Sequence, residues 1–460
     1  MRVILATIVL VSAMSWSDFA DASSLDGYID QALEKNLGLR QQQLDFESSR
    51  AAQKEAAGGF LPSVDLNGRY TRAGGGRAFE FPVGDLMNPV YGALNELLGE
   101  QRFESIANIQ ADFLREEEYE TKLSLTQPLF QPAVYYNYRA QSNQRRAAEA
   151  ARDTKARELV AEVKSAYYTY LKADQLVRLL AETEKLLQEN LRVSQSLFDN
   201  DQATRDVVYR AQAELSSLMQ QQAEADKSSE LARSQFNLLL DRDLEAEIQV
   251  DSIDISGQLA QGDLKTARSQ ARANREEFRR LESGIAAAGN VVSINRTRFL
   301  PGVALAVDYG YEGEELEFGS DNDFWTASVV MKWNIFSGFR DSRKVQQAKL
   351  ARKSLEARQR EVERLIDLEV TNAHHSLKVS ERSLAAAADR LQAAEASFRI
   401  VRRKFAEGLA PQIDFLDARN SLTQAEVNNL VVQYDFLIAR AELERVTASY
   451  PLQLNSKDKS

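Results

Sequence analysis

Phe60-Leu61-Pro62-Ser63-Val64 returns in the second half of the chain as Phe299-Leu300-Pro301-Gly302-Val303, and the segments around both copies follow one plan. Upstream of each lies an amphipathic helical stretch, 25–57 and 264–298. Downstream come two runs with strand periodicity, a very long helical segment, a break and a shorter helix. The strand runs cover 60–72 and 119–131, then 299–312 and 323–336. Val64, Leu66 and Tyr70 point one way, and Asp65, Asn67, Arg69 and Thr71 the other. Val303, Leu305, Val307 and Tyr309 oppose Ala304, Ala306, Asp308 and Gly310. Trp325, Ala327, Val329 and Met331 oppose Thr326, Ser328 and Lys332. A sheet over a soluble core shows the same period. The run lengths, with Tyr70, Tyr119, Trp325 and Trp333 near strand ends, favour membrane strands with an aromatic girdle.

The long segments carry heptads. Leu159, Val163, Ala166, Tyr170, Ala173, Val177, Leu180, Leu187, Leu191 and Phe198 keep a 4-3 spacing, with Glu184 and Ser194 as polar interruptions. Ile366, Val370, Ala373, Leu377, Ser380, Leu384, Ala387, Leu391, Ala394, Phe398, Val401 and Phe405 keep it without a slip. This is a coiled-coil seam, and its many alanines let helices approach closely. An unbroken helix from Ala133 to Asn200 spans about 100 Å at about 1.5 Å per residue. The returning helix, 203–240, is shorter and needs 264–298 stacked on its end to match. In the other half, 341–407 is matched by 411–449 plus 25–57. The polar segment 241–263, with Gly257 and Gly262, falls at the first joint and is expected to form a small equatorial element.

Composition supports long helices over a string of small domains. The 460 residues include only 21 Gly and 8 Pro, and no Cys. Absence of cysteine excludes a disulfide scaffold, a thiolate metal site and a lipid-modified N-terminal cysteine. The net charge of −11 disfavours nucleic acid as a partner. Arg2, the apolar run Val3 to Met14 and Ala20-Asp21-Ala22 read as a signal peptide over 1–22, with Ser23 first in the mature chain. No later apolar stretch reaches about 18 residues, so no transmembrane helix is expected. Four membrane strands cannot close alone, and an open edge is not tolerated in hydrocarbon. About eight strands give a filled barrel, so an aqueous channel calls for three chains and twelve strands.

Taken together, the pattern resembles the TolC family of outer-membrane factors over nearly the whole mature chain. Ala32-Leu33 with Asn36 and the first Phe-Leu-Pro resemble the family's opening helix and first strand. Ala271, Asn274-Arg275 and the second Phe-Leu-Pro resemble its internal copy. Pro128-Leu129-Phe130 and Asn334 to Phe339 resemble its strand-to-helix junctions. Phe405-Ala406-Glu407-Gly408, followed by Ile413-Asp414-Phe415-Leu416-Asp417-Ala418, resembles its periplasmic hairpin tip. The resemblance implies a mainly α fold with a β-barrel segment, in which long coiled-coil hairpins form a periplasmic α-barrel. It implies a homotrimer with a twelve-stranded barrel in outer-membrane lipid, docked to a periplasmic adaptor and an inner-membrane pump. The domain plan is then a first repeat over 23–263, a second over 264–449 and a tail over 450–460. The first repeat holds the hairpin 133–240 and the extracellular loop 73–118; the second holds the hairpin 339–449.

Asp414 and Asp417 match the family's entrance aspartates. Spaced i, i+3 they share a helix face, and three copies would make acidic rings that attract cations. The helix macrodipole alone also favours acid at a helix start. Asp206 lies near the matching place in the first tip, although alignment on Phe198 and Ala211 puts Val207 there. Asn200, Asp201, Gly408, Leu409 and Pro411 form the turns that would meet an adaptor; Gly408 suits a left-handed residue, and Asp and Asn are the next best. The family's closing arginine and tyrosine are replaced here by Ala410 and Phe405, so a closed-state lock must be built differently. The loop 73–118 either folds inward as a lid or carries a short surface helix around Tyr91–Leu98, and an ordered loop is expected over a functional lid. His374 and His375, the only histidines, are adjacent and share no helix face, so neither a metal site nor a cofactor is expected, and no catalytic set is recognisable. The alternative is a periplasmic coiled-coil structural or adaptor protein; adaptors add runs of short strands that this sequence lacks.

Overall fold

The computed structural model describes residues 25–250 and 262–452. The signal peptide, most of the equatorial segment's second half and the tail beyond Leu452 lie outside the described residues. Nine helices and six strands are described: α1 (Leu25–Lys35), α2 (Leu37–Gly58), β1 (Ser63–Arg72), β2 (Ala78–Phe81), α3 (Val83–Leu98), β3 (Ile109–Asp112), β4 (Glu117–Phe130), α4 (Pro132–Asp199), α5 (Arg205–Leu239), α6 (Leu264–Asn274), α7 (Glu276–Thr297), β5 (Gly302–Gly313), β6 (Asp323–Lys332), α8 (Arg340–Ala406) and α9 (Gln412–Thr447). None of the described helices is long and apolar enough to cross a membrane.

The chain falls into two compact units, and α2, α4, α7 and α8 contribute residues to both. One unit, Ala51–Ser142 with Ala287–Ala351, holds all the strands. Its main sheet is antiparallel in the order β1-β4-β5-β6. Leu66, Leu123, Tyr309 and Trp325 form one row across all four strands. Leu66, Leu123 and Trp325 are exposed, as are Val64, Val329 and Met331 on the same face. The opposite face carries Arg69 between Glu118 and Glu120 (3.0 and 2.9 Å) and Lys122 on Glu120 (2.6 Å). The alternation expected from the sequence is therefore the alternation of the sheet. β1 and β6 are the edges, and neither has a partner on its outer side among the described residues.

β1 and β5 begin three residues later than the sequence runs at 60 and 299, whereas β4 begins at Glu117, two residues before its run, and β6 at Asp323 as expected. Phe60 and Leu61 donate to the Ala57 and Gly58 carbonyls, closing a turn, and Phe299 and Leu300 do the same to Arg296 and Thr297. Phe-Leu-Pro is thus the helix-to-strand corner itself. β6 stops at Lys332, and Trp333 donates from Nε1 to the Phe299 carbonyl (3.2 Å) outside the ladder.

The other unit is built from helices. α4 and α8 run unbroken for 68 and 67 residues, with Pro132 opening α4 where its missing N–H does no harm. The second seam is buried or half-buried throughout, as its spacing requires. The first differs. Thr183, Asn190 and Ser194 occupy buried seam positions, while Glu184 lies outside the seam, accepting from Gln188.

The two upstream helices are each broken. α1 ends before Asn36, whose Oδ1 accepts from Leu39 N (3.0 Å) while Nδ2 donates to the Leu239 carbonyl (2.9 Å). α6 ends before Arg275, which is extended (φ −67°, ψ 130°). Its guanidinium lies between Glu277 and Glu369; burial opposes its charge, but those carboxylates hold its pKa above the ordinary value. The pieces match in length, 11 and 22 residues on both sides, but they stack opposite to the expected pairing: the break at Asn36 meets the end of α5 at the Leu239 carbonyl, and α6–α7 meet the end of α9, where Ala267 and Ala271 pack on Val446 and Arg275 and Arg445 share Glu369. Near Asn36 the largest core gathers Tyr28, Ile29, Tyr167, Phe236, Leu240, Tyr434 and Phe436. The start of the equatorial segment joins it through buried Ile248, and Gln249 N donates to Tyr28 Oη (2.9 Å).

Candidate functional site at the hairpin tips

Both long helices end in the same turn. At the second tip Leu409 N bonds the Lys404 carbonyl (2.7 Å) and Gly408 N bonds Phe405 (3.0 Å), with Gly408 left-handed at φ +73°. At the first, Gln202 N bonds Leu197 (2.8 Å) and Asp201 N bonds Phe198 (3.0 Å), with Asp201 at φ +54°. Both are Schellman motifs, which satisfy the last carbonyls of a helix. Asn200 adds a side-chain bond to the Ser196 carbonyl (2.7 Å). Gly408→Ala should destabilise the protein by about 1 kcal/mol, because an L side chain is strained at that φ. Urea unfolding checks this, and an unchanged midpoint would show that the tip does not hold this turn.

Pro411 caps α9, whose first turns point Asp414 and Asp417 to solvent and bury Phe415 and Leu416. Phe415 stacks on Phe405 (4.9 Å between centroids) and meets Phe398 at 5.6 Å. The residue standing where a closing tyrosine was expected is therefore part of the tip's apolar core. Asp414 and Asp417 have no ion-pair partner among the described residues. Asp206 differs: it accepts from Thr204 Oγ1 and lies 3.6 Å from Arg210. Counted from the left-handed residues, Val207 and not Asp206 stands where Asp414 does. Leu409 is exposed at the turn's apex.

The structure adds residues that the sequence reading passed over. Gln412, Arg419 and Glu426 recur every seven residues along α9 and face the polar positions of α4. Gln412 Nε2 donates to Ser194 Oγ (2.8 Å) and Asn190 Oδ1 (3.4 Å). Arg419, buried, donates to Thr183 Oγ1 (2.7 Å) and lies over the Phe398 ring. Its nearest carboxylate, Glu426, stands at 3.5 Å without hydrogen-bond alignment. The signal was a polar residue at a fixed heptad position on facing helices, which a count of apolar positions discards.

Burial lowers the Arg419 pKa, and burial raises that of Glu426 despite Arg419, with Glu395 and Glu182 adding to the rise. Desolvation thus outweighs attraction in this pair. Arg419→Met with Glu426→Leu should raise stability by about 1 kcal/mol or more at neutral pH. The gain should shrink as pH falls through the raised Glu426 value, because protonation relieves the same penalty in the native chain. Thermal unfolding across acid pH tests this; a double variant less stable than the parent would refute it.

The chain's residues 28–240 and 267–449 match the family model for outer membrane efflux proteins. The chain belongs to this family. It is 24% identical over 351 residues to the alkaline protease secretion protein AprF of Pseudomonas aeruginosa, covering 73% of this chain and 71% of AprF. It is 24% identical over 420 residues to outer membrane protein OprJ of the same species, covering 89% of this chain and 81% of OprJ. The fold is that of the Neisseria gonorrhoeae MtrE outer membrane channel, with a TM-score of 0.75 at 21% identity over 92% of this chain and 89% of MtrE. An outer membrane efflux protein is a conduit, and this chain is an outer-membrane channel component.

Proposed function

We propose that three copies form one duct for efflux or type I secretion, running through the outer membrane and the periplasm. The observation that carries this is the four-stranded sheet, with an exposed apolar face and two edges unpaired among the described residues. Edges left open in lipid are forbidden, and joining β6 of one copy to β1 of the next removes them. Three copies give twelve strands, enough for an aqueous lumen. The charged face with Arg69, Glu120 and Lys122 then lines the lumen. The hairpins α4–α5 and α8–α9, completed by α1–α2 and α6–α7, form the periplasmic tunnel. Two repeats, 23–263 and 264–449, account for the matched breaks at Asn36 and Arg275. Residues 1–22 are removed on export.

The duct is passive, with no enzymatic step and no cofactor. The turns at Asn200, Asp201, Gly408, Leu409 and Pro411 meet a periplasmic adaptor, which couples them to an inner-membrane pump. Asp414 and Asp417, solvent-facing and without an ion-pair partner among the described residues, line the entrance, with Asp206 of the first tip partly neutralised by Arg210. The protein should leave membranes only in detergent and run as a trimer; a soluble periplasmic monomer would refute the reading. Asp414→Ala with Asp417→Ala should lower cation preference and weaken block by multivalent cations several-fold in single-channel recordings. Unchanged selectivity together with unchanged block would remove the aspartates from the entrance.

A further inference from the structure

The two hairpins of the main sheet are copies of each other, and only one of them keeps its full ladder. The Phe-Leu-Pro corners make Ser63 the counterpart of Gly302. Ser63 pairs with Thr126 and Gly302 with Lys332, so Thr126 is the counterpart of Lys332. Past that row the copies part. Gln127, Pro128 and Phe130 of β4 run beyond the reach of β1 and pair with Leu305, Ala304 and Val303 of β5, with a bulge at Leu129. Their counterparts after β6 are Trp333, Asn334 and Phe336, with Ile335 at the place of Leu129. These four enter no ladder among the described residues. Yet Trp333, Asn334 and Ile335 continue the apolar–polar alternation of β6.

The difference lies in position within the sheet. β4 sits between β1 and β5, whereas β6 is an edge. Trp333, Ile335 and Phe336 are exposed, Ile335 at 83%. Side chains nevertheless hold the segment. Trp333 donates from Nε1 to the Phe299 carbonyl (3.2 Å), and Asn334 Nδ2 donates to Asp341 of α8 (3.5 Å). A segment restrained in this way loses little further freedom when a strand pairs with it.

We propose that 333–336 becomes strand only on assembly, when β1 of a second copy joins β6 in the register that β5 already takes on β4. Carried across, that register sets Val329 against the partner's Tyr70, as Leu123 stands against Tyr309. It sets Val330 against the partner's Arg69 and Trp333 against the partner's Leu66. Asn334 then meets the partner's Asp65, and Phe336 the partner's Val64, with the bulge at Ile335. Every residue keeps its face: Val329, Trp333, Leu66 and Tyr70 all lie on the sheet's apolar side. Aligning the ten residues of β6 directly with the ten of β1 would instead set Val329 against Leu66. That alignment has the same facing but leaves 333–336 outside the ladder, with backbone N–H and C=O groups unpaired at the membrane. The proposal deepens the trimer reading above and rests on it.

The chain has no cysteine, so engineered pairs cross-link without background. Val329→Cys would be combined, in the full protein, with Leu66→Cys, Gly68→Cys or Tyr70→Cys, three positions on one face of β1. Opposed residues alternate between close and wide pairs, so Val330→Cys with Arg69→Cys or Asn67→Cys covers the adjacent row. Membranes holding each variant are oxidised with copper phenanthroline and run on denaturing gels without reductant. Covalent dimers and trimers should form several-fold more with Tyr70→Cys than with Leu66→Cys or Gly68→Cys, or with Arg69→Cys than with Asn67→Cys. A preference for Leu66, Gly68 or Asn67 in a protein that still runs as a trimer would overturn the register and leave the barrel standing. A trimer in which no pair cross-links would do the same. A native protein that runs as a monomer would overturn both.

Discussion

Phe236→Ala should lower stability by about 3–5 kcal/mol, the range for removing a buried aromatic ring from a core that cannot collapse around the gap. Phe236 is 0% exposed. Its ring meets Tyr28 edge-on at 5.1 Å and Tyr167 at 5.6 Å, joining α1, α4 and α5 in one cluster. The neighbouring Asn237, also fully buried, donates from Nδ2 to the Leu244 and Ala246 carbonyls (3.0 and 2.9 Å) and ties down the start of the equatorial segment. A cavity here therefore loosens the joint where the shorter helices stack. Leu238→Ala, one residue away and 67% exposed, should cost less than about 0.5 kcal/mol. Urea unfolding of the two variants separates them; comparable losses would mean that the core is elsewhere.

Gly310→Val should prevent β4 and β5 from pairing, and with that the trimeric barrel proposed above. Gly310 lies in β5 opposite Lys122, and a side chain built on it would fall 2.4 Å from the Thr121 carbonyl and 2.5 Å from Lys122 Cβ. β4 cannot retreat, because β1 holds its other edge over ten consecutive residue pairs. The collision is with backbone, so rotamer changes cannot relieve it, and the expected penalty is about 3 kcal/mol or more. Heat-resistant oligomer on gels should disappear. Gly68→Ala is the control, since nothing lies within 4 Å of its added carbon. Normal trimers from Gly310→Val would show that β4 and β5 are not paired in this register.

These two sites mark what the sequence conveys and what it hides. Periodicity located the long helices to within a residue or two, because α4 and α8 carry their seams through many heptads. It fixed the facing of Val64, Leu66, Trp325 and Val329, because alternation has only two phases. It missed the breaks at Asn36 and Arg275, where polar side chains interrupt the helix without any Gly or Pro to announce it. It read α3 only over its last turns: Pro89 and two glycines weaken the helical signal, and the hydrogen bonds of Asn88 to Ile106 and of Asn95 to Phe103 that compensate are a tertiary feature. At the tips the left-handed residues were legible from Gly408 and the Asp199-Asn200-Asp201 run. The polar ladder of Gln412, Arg419 and Glu426 was not, because its meaning depends on Thr183, Asn190 and Ser194 of another helix. That ladder is also a place where the chain keeps charge in a seam that apolar residues would fill more stably.

Conductance across a planar lipid bilayer separates a channel from a helical protein that merely associates with membranes. Purified full-length protein, added in mild detergent, should insert and give discrete, uniform current steps that favour cations. A folded helical protein that never raises bilayer conductance, at any polarity or concentration, would contradict the channel reading.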